Sequence, residues 1–157
     1  MDDLAAMGIA LEEAQAAYRE GEVPVGAVIV SRLGVLARGH NLVEATGDPT
    51  AHAEALVIRE AVRAARDGRV GRQVLADATL FVTMEPCPMC AGAIVLARVS
   101  RVVFGCDDPR AGAVRSLYTL LSDARLNHQC RVTGGVQAEA GAALLTRFFE
   151  ERRVRPG

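Results

Sequence analysis

The chain contains no lysine, and all 18 of its basic residues are arginine. Its formal net charge is −1 at pH 7, so no overall positive field points to a nucleic-acid partner. Several arginines near the C-terminus alternate with Glu150 and Glu151, a pattern that fits either a solvated helix face or bidentate contacts with phosphate. These arginines are Arg147, Arg152, Arg153 and Arg155.

Long apolar runs are also missing. No stretch approaches the roughly 18 apolar residues needed to cross a bilayer, so we expect no membrane association. The acidic start at residues 1–4 is unlike a secretory signal, and we therefore predict a cytoplasmic protein. In that compartment the four cysteines are not expected to form disulfides, and the isolated Cys106 and Cys130 are interpreted as small packing residues.

Internal repeats and low-complexity linkers are absent, and 157 residues suit a single domain covering 1–157. Apolar residues recur at helical spacing in some segments, and short β-branched runs bounded by turn formers separate them. The alternation predicts a layered α/β domain with a central sheet. Helices are expected at about 2–20, 51–66, 87–97, 115–121 and 138–153, with Asp48 or Thr50 capping the second, and strands at 25–30, 35–38, 78–83, 101–105 and 130–133.

Two short motifs carry the chemistry. The first is His52-Ala53-Glu54, and the second is Pro86-Cys87-Pro88-Met89-Cys90. The first thiol of the second motif, Cys87, lies 35 residues after His52. Both fall at the predicted first turn of a helix, where partial positive charge favours the thiolate that zinc requires. One imidazole and two thiolates give three zinc ligands, and a catalytic zinc site keeps a fourth position open for water.

Glu54 is the candidate general base and acid of such a site. Two thiolates cancel the formal charge of the metal, so water there is less acidic than beside three neutral histidines, and a separate base is needed. Glu54 is expected to take the proton from water and pass protons to a ring nitrogen and the leaving ammonia. The alternative is an ordinary first-turn acid that complements the helix dipole.

The H-x-E and P-C-x-x-C combination is the signature of zinc deaminases. Across almost its whole length the chain resembles the bacterial tRNA-specific adenosine deaminases of the cytidine deaminase-like superfamily. The Val-Pro-Val-Gly segment at 23–26 and the double phenylalanine at 148–149 narrow the resemblance to the tRNA-acting branch. The resemblance also covers segments 48–54, 85–93, 101–105, 126–128 and 142–145, together with Asn41.

The resemblance implies a three-layer α/β/α sandwich with a central mixed five-stranded sheet and one Zn²⁺ per subunit, bound by His52, Cys87 and Cys90. It implies a homodimer that converts the wobble adenosine of a tRNA anticodon stem-loop to inosine, with the base extruded into a pocket. The residues it assigns to substrate binding are Asn41, Val25, Ala53, Met84, Asp108, Arg110, Phe148 and Phe149. For each phenylalanine, core packing is the alternative.

The chain departs from the family pattern at Val114 and Arg115, where small residues are usual, and at Arg147 and Glu150. The segment through 69–71 is also a few residues longer than usual.

Two other functions remain open. One is a deaminase of a free base or nucleotide, of the guanine or cytosine type. The other is a non-catalytic zinc module, which needs a fourth ligand from His40, His128, Cys106 or Cys130.

Overall fold

The computed structural model describes residues 1–65 and 73–154. Five strands and five α-helices make up most of this part of the chain, together with one short 3₁₀ helix at Leu120–Ser122. The helices are α1 (Asp3–Arg19), α2 (Val43–Thr46), α3 (Ala53–Ala65), α4 (Pro88–Ala97) and α5 (Ala138–Val154), and the strands are β1 (Gly26–Ser31), β2 (Gly34–His40), β3 (Thr79–Met84), β4 (Arg101–Cys106) and β5 (Arg131–Thr133).

The strands form one mixed sheet in the order β2-β1-β3-β4-β5. Strand β1 runs antiparallel to both of its neighbours, whereas β3, β4 and β5 are mutually parallel. The carboxyl ends of β3 and β4 therefore meet the start of β1 at one edge of the sheet. Ligands of open α/β sheets bind outside the carboxyl ends of the strands, so this edge is where a site is expected.

The two faces of the sheet are buried by different helices. Val28, Phe81 and Val103 form a row across β1, β3 and β4 that packs against the buried face of α1. The alternate residues of the same strands, such as Leu80 and Val102, pack with α3 and α4. Helix α5 contacts β3, β4 and α1. The predicted three-layer α/β/α sandwich with a mixed five-stranded sheet is confirmed.

Gly26 fixes the distance between α1 and the sheet. A Cβ atom at this position would overlap the backbone oxygen of Ala10 in α1, so the close approach of helix and strand requires glycine. The backbone N–H of Gly26 also donates to Thr83 Oγ1 at 3.2 Å. These contacts set the start of β1 beside the end of β3, at the edge where the two strands border the site.

Most predicted elements match the structure within two residues, but two expectations are wrong. No α-helix forms at 115–121, where turns lead into the 3₁₀ helix. Asp48 does not cap α3, because its carboxylate accepts from the N–H and hydroxyl of Thr50 in a local turn. Helix α2 was not predicted. Position 66, the segment 69–71 and position 155 lie outside the described residues. Among the residues that the structure describes, no helix is long and apolar enough to cross a membrane.

His40 joins the end of β2 to α1 through two carboxylates. Its Nδ1 lies 3.0 Å from Glu13 Oε2 and its Nε2 lies 2.7 Å from Glu20 Oε2. Both ring nitrogens donate only in the imidazolium form. Burial opposes that charge, but the hydrogen bonds and charges of Glu13 and Glu20 outweigh it and raise the pKa of His40 above 6.5.

A raised pKa in the folded state makes this contact pH-dependent. Its stabilisation is fully present below pH 6.5, the unfolded value, and is lost as the pH rises through the raised pKa of the folded protein. We predict that His40→Gln lowers the melting temperature by about 2–4 °C at pH 6, equivalent to about 1 kcal/mol. At pH 9 the two proteins should have the same melting temperature. A difference in melting temperature that stays constant from pH 6 to pH 9 would contradict the charged contact.

Candidate metal centre and active site

The three predicted ligands come from the N-termini of two helices. His52 immediately precedes α3, Cys87 is the N-cap residue of α4, and Cys90 lies in the first turn of α4. Pro88 occupies the first turn of α4, where its missing N–H costs no intrahelical hydrogen bond. Because α4 follows β3 directly, both thiols lie at the sheet edge described above.

The ligand atoms have the spacing that tetrahedral zinc requires. The Nδ1 atom of His52 lies 3.5 Å from the Sγ atoms of both Cys87 and Cys90. Zinc bonds of about 2.3 Å to sulfur and about 2.0–2.1 Å to nitrogen, at tetrahedral angles, place such atoms about 3.6 Å apart. All three ligand atoms lie within 4.8 Å of one another. The residues therefore fit a zinc ion in both chemistry and geometry.

The protonation of the two thiols differs. A hydrogen bond from the Cys90 thiol lowers the pKa of Cys87 to about 4, with help from His52 and against the effect of burial. The same hydrogen bond and burial raise the pKa of Cys90. The hydrogen bond with Cys87 raises the pKa of His52. Ionisation is therefore favoured at Cys87, and a cation bound to Cys90 would displace the proton of its thiol.

The proposed fourth ligands are engaged elsewhere, and none joins the cluster within the described residues. His40 is held by Glu13 and Glu20, and His128 Nε2 lies 2.7 Å from the carbonyl oxygen of Val99. Cys106 and Cys130 are buried and donate to backbone carbonyls. A closed four-ligand site is therefore not formed, which argues against a purely structural zinc module.

Glu54 lies in the first turn of α3 beside the ligand cluster and is 4% exposed. Burial raises the pKa of Glu54 to about 7; its own backbone N–H opposes this rise, and the negative charge of Cys87 adds to it. The Cys90 thiol is within hydrogen-bonding reach of the carboxyl group. A carboxyl group with a pKa near neutral can both accept and donate a proton, which general acid–base catalysis requires.

Asn41 supplies the cap that Asp48 or Thr50 was expected to provide. Its Oδ1 accepts from the backbone N–H of Ala53 at 2.8 Å, and its Nδ2 donates to the carbonyl oxygen of Val23 at 3.1 Å. The amide keeps one N–H and one lone pair for another partner. The N–H of Ala53 is engaged by this contact, and the reading of the base edge by the backbone around Ala53 stays a prediction.

A cavity of about 210 Å³ opens in front of the ligand cluster. This volume is below the roughly 300–1,000 Å³ typical of pockets for drug-sized ligands, and it suits a single planar base. Glu54, His52 and Cys87 lie at its metal end. The predicted substrate residues that line it are Val25, Asn41, Met84 and Asp108.

A larger groove of about 890 Å³ continues from this cavity and shares Val23, Met84 and Asp108 with it. Arg110, Arg152 and Arg153 also line the groove. The two phenylalanines differ in exposure. Phe149 lines the groove and is 45% exposed, whereas Phe148 is 6% exposed. Phe148 packs against Tyr18 with ring centroids 6.4 Å apart. Its predicted contact with substrate is therefore replaced by core packing.

Two buried carboxylates near the cavity were missed by the sequence reasoning. Glu22 accepts from the backbone N–H groups of Glu44 and Ala45 at 2.8 Å, in the first turn of α2. Burial opposes ionisation of Glu85, but hydrogen bonds from Arg115, Ser116 and Asp108 lower its pKa to about 2. Both residues bind backbone far along the chain, and no local sequence pattern signals such contacts.

Comparison with known proteins agrees with this geometry. The family of the cytidine and deoxycytidylate deaminase zinc-binding region matches residues 1–106. A tRNA-specific adenosine deaminase of Bacillus subtilis (strain 168) is 49% identical over 146 residues, which cover 93% of this chain and 88% of that protein. The family and the three-ligand cluster together confirm the predicted zinc cofactor.

Solved structures extend the comparison to three dimensions. A structure from studies of A-to-I editing by tRNA:A34 deaminases at the wobble position of transfer RNA superposes with a TM-score of 0.81 and 40% identity, covering 90% of this chain and 99% of that chain. A guanine deaminase from Bacillus subtilis gives a TM-score of 0.60 and 37% identity, covering 68% and 66%. The chain belongs to the zinc-binding cytidine deaminase-like superfamily and, within it, to the family of the tRNA-specific adenosine deaminases.

Proposed function

We propose that this protein hydrolyses the wobble adenosine of a tRNA anticodon stem-loop to inosine and releases ammonia. The observation that carries the proposal is the placement of a buried Glu54 beside a three-ligand zinc site at the end of a base-sized cavity. The tRNA:A34 deaminase structure matches this fold over 90% of the chain, which supports the choice of substrate. The four free cysteines fit the reducing cytoplasm.

When bound by His52, Cys87 and Cys90, zinc lowers the pKa of water and thereby supplies the nucleophile for hydrolysis. Glu54 removes a proton from the attacking water as the C–O bond forms at C6 of adenine. The carboxyl group passes this proton to the ring nitrogen N1. It then takes the second proton from the new C6 hydroxyl and gives it to the departing amine as the C–N bond breaks. One water is consumed and one ammonia leaves, and Glu54 returns to its initial protonation state.

The remaining residues of the cavity orient the base. Val25 and Met84 offer apolar contacts to its faces, and the free N–H and lone pair of Asn41 lie beside them for its polar edge. Because the Asn41 amide is fixed by Val23 and Ala53, it is oriented before the substrate arrives. Such orientation lowers the entropic cost of reaching the reactive geometry.

The groove beside the cavity supports RNA over a free base. A free purine needs only the small cavity, whereas a nucleotide in a loop brings flanking bases and phosphates. The exposed ring of Phe149 can stack on a flanking base, and Arg110 and Arg153 can contact phosphates. Asp108 lies between cavity and groove, where the sugar of the target nucleotide is expected.

A substrate panel tests the assignment directly. We predict ammonia release from an anticodon stem-loop with adenosine at the wobble position, and none above background from free adenosine, guanine or cytidine. A stem-loop carrying guanosine at the wobble position is the matched control. Release of ammonia from the free compounds alone would overturn the RNA assignment and favour a guanine- or cytosine-type deaminase.

Substitution of Glu54 separates catalysis from metal binding. We predict that Glu54→Ala binds zinc at one ion per chain and folds, but loses about 10²–10⁴-fold or more in kcat, since proton transfer contributes this much. Zinc content by elemental analysis and kcat on the stem-loop measure the two properties. An unchanged kcat would remove Glu54 from the mechanism.

The contrasting variant is Cys87→Ala, which removes one of three ligands. It should lose most of the bound zinc and also melt at a lower temperature, because metal binding contributes to folding free energy. Full zinc occupancy in Cys87→Ala would show that the ligand set is different. The pair of variants thus distinguishes a proton-transfer defect from a metal-binding defect.

We propose further that the protein is a homodimer that uses the exposed face of α4. Met89 and Leu96 lie seven residues apart on this helix, and Leu96 is 77% exposed. Leu117 and Tyr118 add exposed apolar surface in the segment leading to the 3₁₀ helix, which contacts α4. Contiguous apolar surface of this kind is typical of protein–protein interfaces. A second copy on α4 lies close to the zinc site, since α4 begins at Cys87.

Sedimentation velocity tests the dimer. We predict a species of twice the 16.6 kDa chain mass for the wild type at micromolar concentration. Leu96→Glu should sediment as a monomer, because the interface would bury an unpaired charge. Leu33→Glu is the control, since Leu33 is similarly exposed in the β1–β2 turn. A monomeric wild type, or a dimeric Leu96→Glu variant, would contradict the proposed interface.

A further inference from the structure

Glu85 lies between β3 and the first zinc thiol, and its residue is 3% exposed. Its carboxylate is directed away from solvent into the 107–116 loop, which lies after β4 and contains neither helix nor strand. This loop carries Asp108, which borders both the base cavity and the groove, and Arg110, which lines the groove. Glu85 is therefore positioned to determine where these substrate-facing residues lie.

The loop donates five hydrogen bonds to this one carboxylate. Oε1 accepts from the backbone N–H of Asp108 at 3.0 Å and from the hydroxyl of Ser116. Oε2 accepts from three successive backbone N–H groups at 2.8–3.1 Å, an arrangement that binds anions. These belong to Val114, Arg115 and Ser116.

The 107–116 loop also fits closely around the carboxylate of Glu85. A side chain at Gly112 would overlap the carboxylate atoms of Glu85, so the loop can close around Glu85 only with glycine there. The backbone N–H of Gly112 donates to the carbonyl oxygen of Asp108 at 2.8 Å, and Asp108 Oδ1 accepts from the N–H of Arg110 at 3.0 Å. The hydrogen bonds of Glu85 therefore position Asp108 and, through Asp108, also Arg110.

We infer that Glu85 is a positioning residue that holds Asp108 and Arg110 in place for the sugar–phosphate backbone of the substrate. Glu85 is not a second proton-transfer group, because both of its oxygens are occupied as acceptors by the loop. Contacts to the sugar–phosphate backbone exist in the ground state and in the transition state alike. Losing them therefore raises KM and leaves kcat nearly unchanged.

The test uses Glu85→Gln, which keeps the shape of the side chain but places an NH₂ group against N–H donors. Glu139→Gln, on an exposed face of α5, is the matched control. Because the kinetic effect rests on the proposed tRNA deaminase activity, a second measurement without substrate accompanies it: amide hydrogen exchange at 108, 114, 115 and 116. Zinc content is measured for every variant.

For Glu85→Gln we expect wild-type zinc content and at least tenfold faster hydrogen exchange at these four amides. The KM for the anticodon stem-loop should rise about tenfold, while kcat stays within threefold of wild type. Ser116→Ala removes one donor and should raise KM two- to threefold, which keeps the test valid if Glu85→Gln fails to fold.

Unchanged hydrogen exchange at these amides would overturn the inference. A lower kcat at constant KM would overturn it too, since that pattern reflects only fewer folded molecules. Wild-type protein inactive on RNA would refute the proposed function, while the exchange result would still decide the role of Glu85.

Discussion

Three potential anions, Cys87, Cys90 and Glu54, lie close together at one end of the base cavity, and burial together with their mutual repulsion disfavours ionisation of all three. Burial raises the pKa of Glu54, and the negative charge of Cys87 adds to this rise. The hydrogen bond with Cys87, together with burial, raises the pKa of Cys90, so the three groups are not all charged in isolation. A divalent cation removes this conflict by balancing two thiolates. The fold imposes the proximity, because α3 and α4 place His52 Nδ1 3.5 Å from each sulfur.

Among the buried glutamates that line the base cavity, Glu54 and Glu85 have surroundings that give them opposite properties. Burial raises the pKa of Glu54 to about 7, since few donors oppose the rise, and this value suits proton transfer. Glu85 accepts from five donors, and its pKa falls to about 2, which keeps it a permanent anion. Both residues line the same cavity. Exposure alone does not distinguish them, whereas the number of donors around each carboxylate does.

The zinc ligands and most element bounds could be predicted from sequence because their signals are local: ligand spacing, helical periodicity and β-branched runs. The capping of α3 by Asn41 could not, since the contact joins residues twelve positions apart and competes with a plausible local cap at Asp48. The loop contacts of Glu85 span 23 to 31 positions and involve backbone donors, which no residue type reveals. Helical periodicity likewise left open which of Phe148 and Phe149 faces inward, and only the packing of α5 against Tyr18 decides it.

The departure at Val114 and Arg115 affects the site less than the change of side chains suggests. Both residues contribute backbone N–H groups to Glu85, and any residue other than proline supplies these. The Val114 side chain is buried in the core, while Arg115 Nε pairs with Asp107 at 2.7 Å and its guanidinium lies 5.0 Å from the ring centroid of Phe104. The pair with Asp107 lies within the 107–116 loop, and the contact with Phe104 attaches the loop to β4. Larger side chains at 114 and 115 therefore reinforce the position of Asp108 without changing the carboxylate contacts that define it.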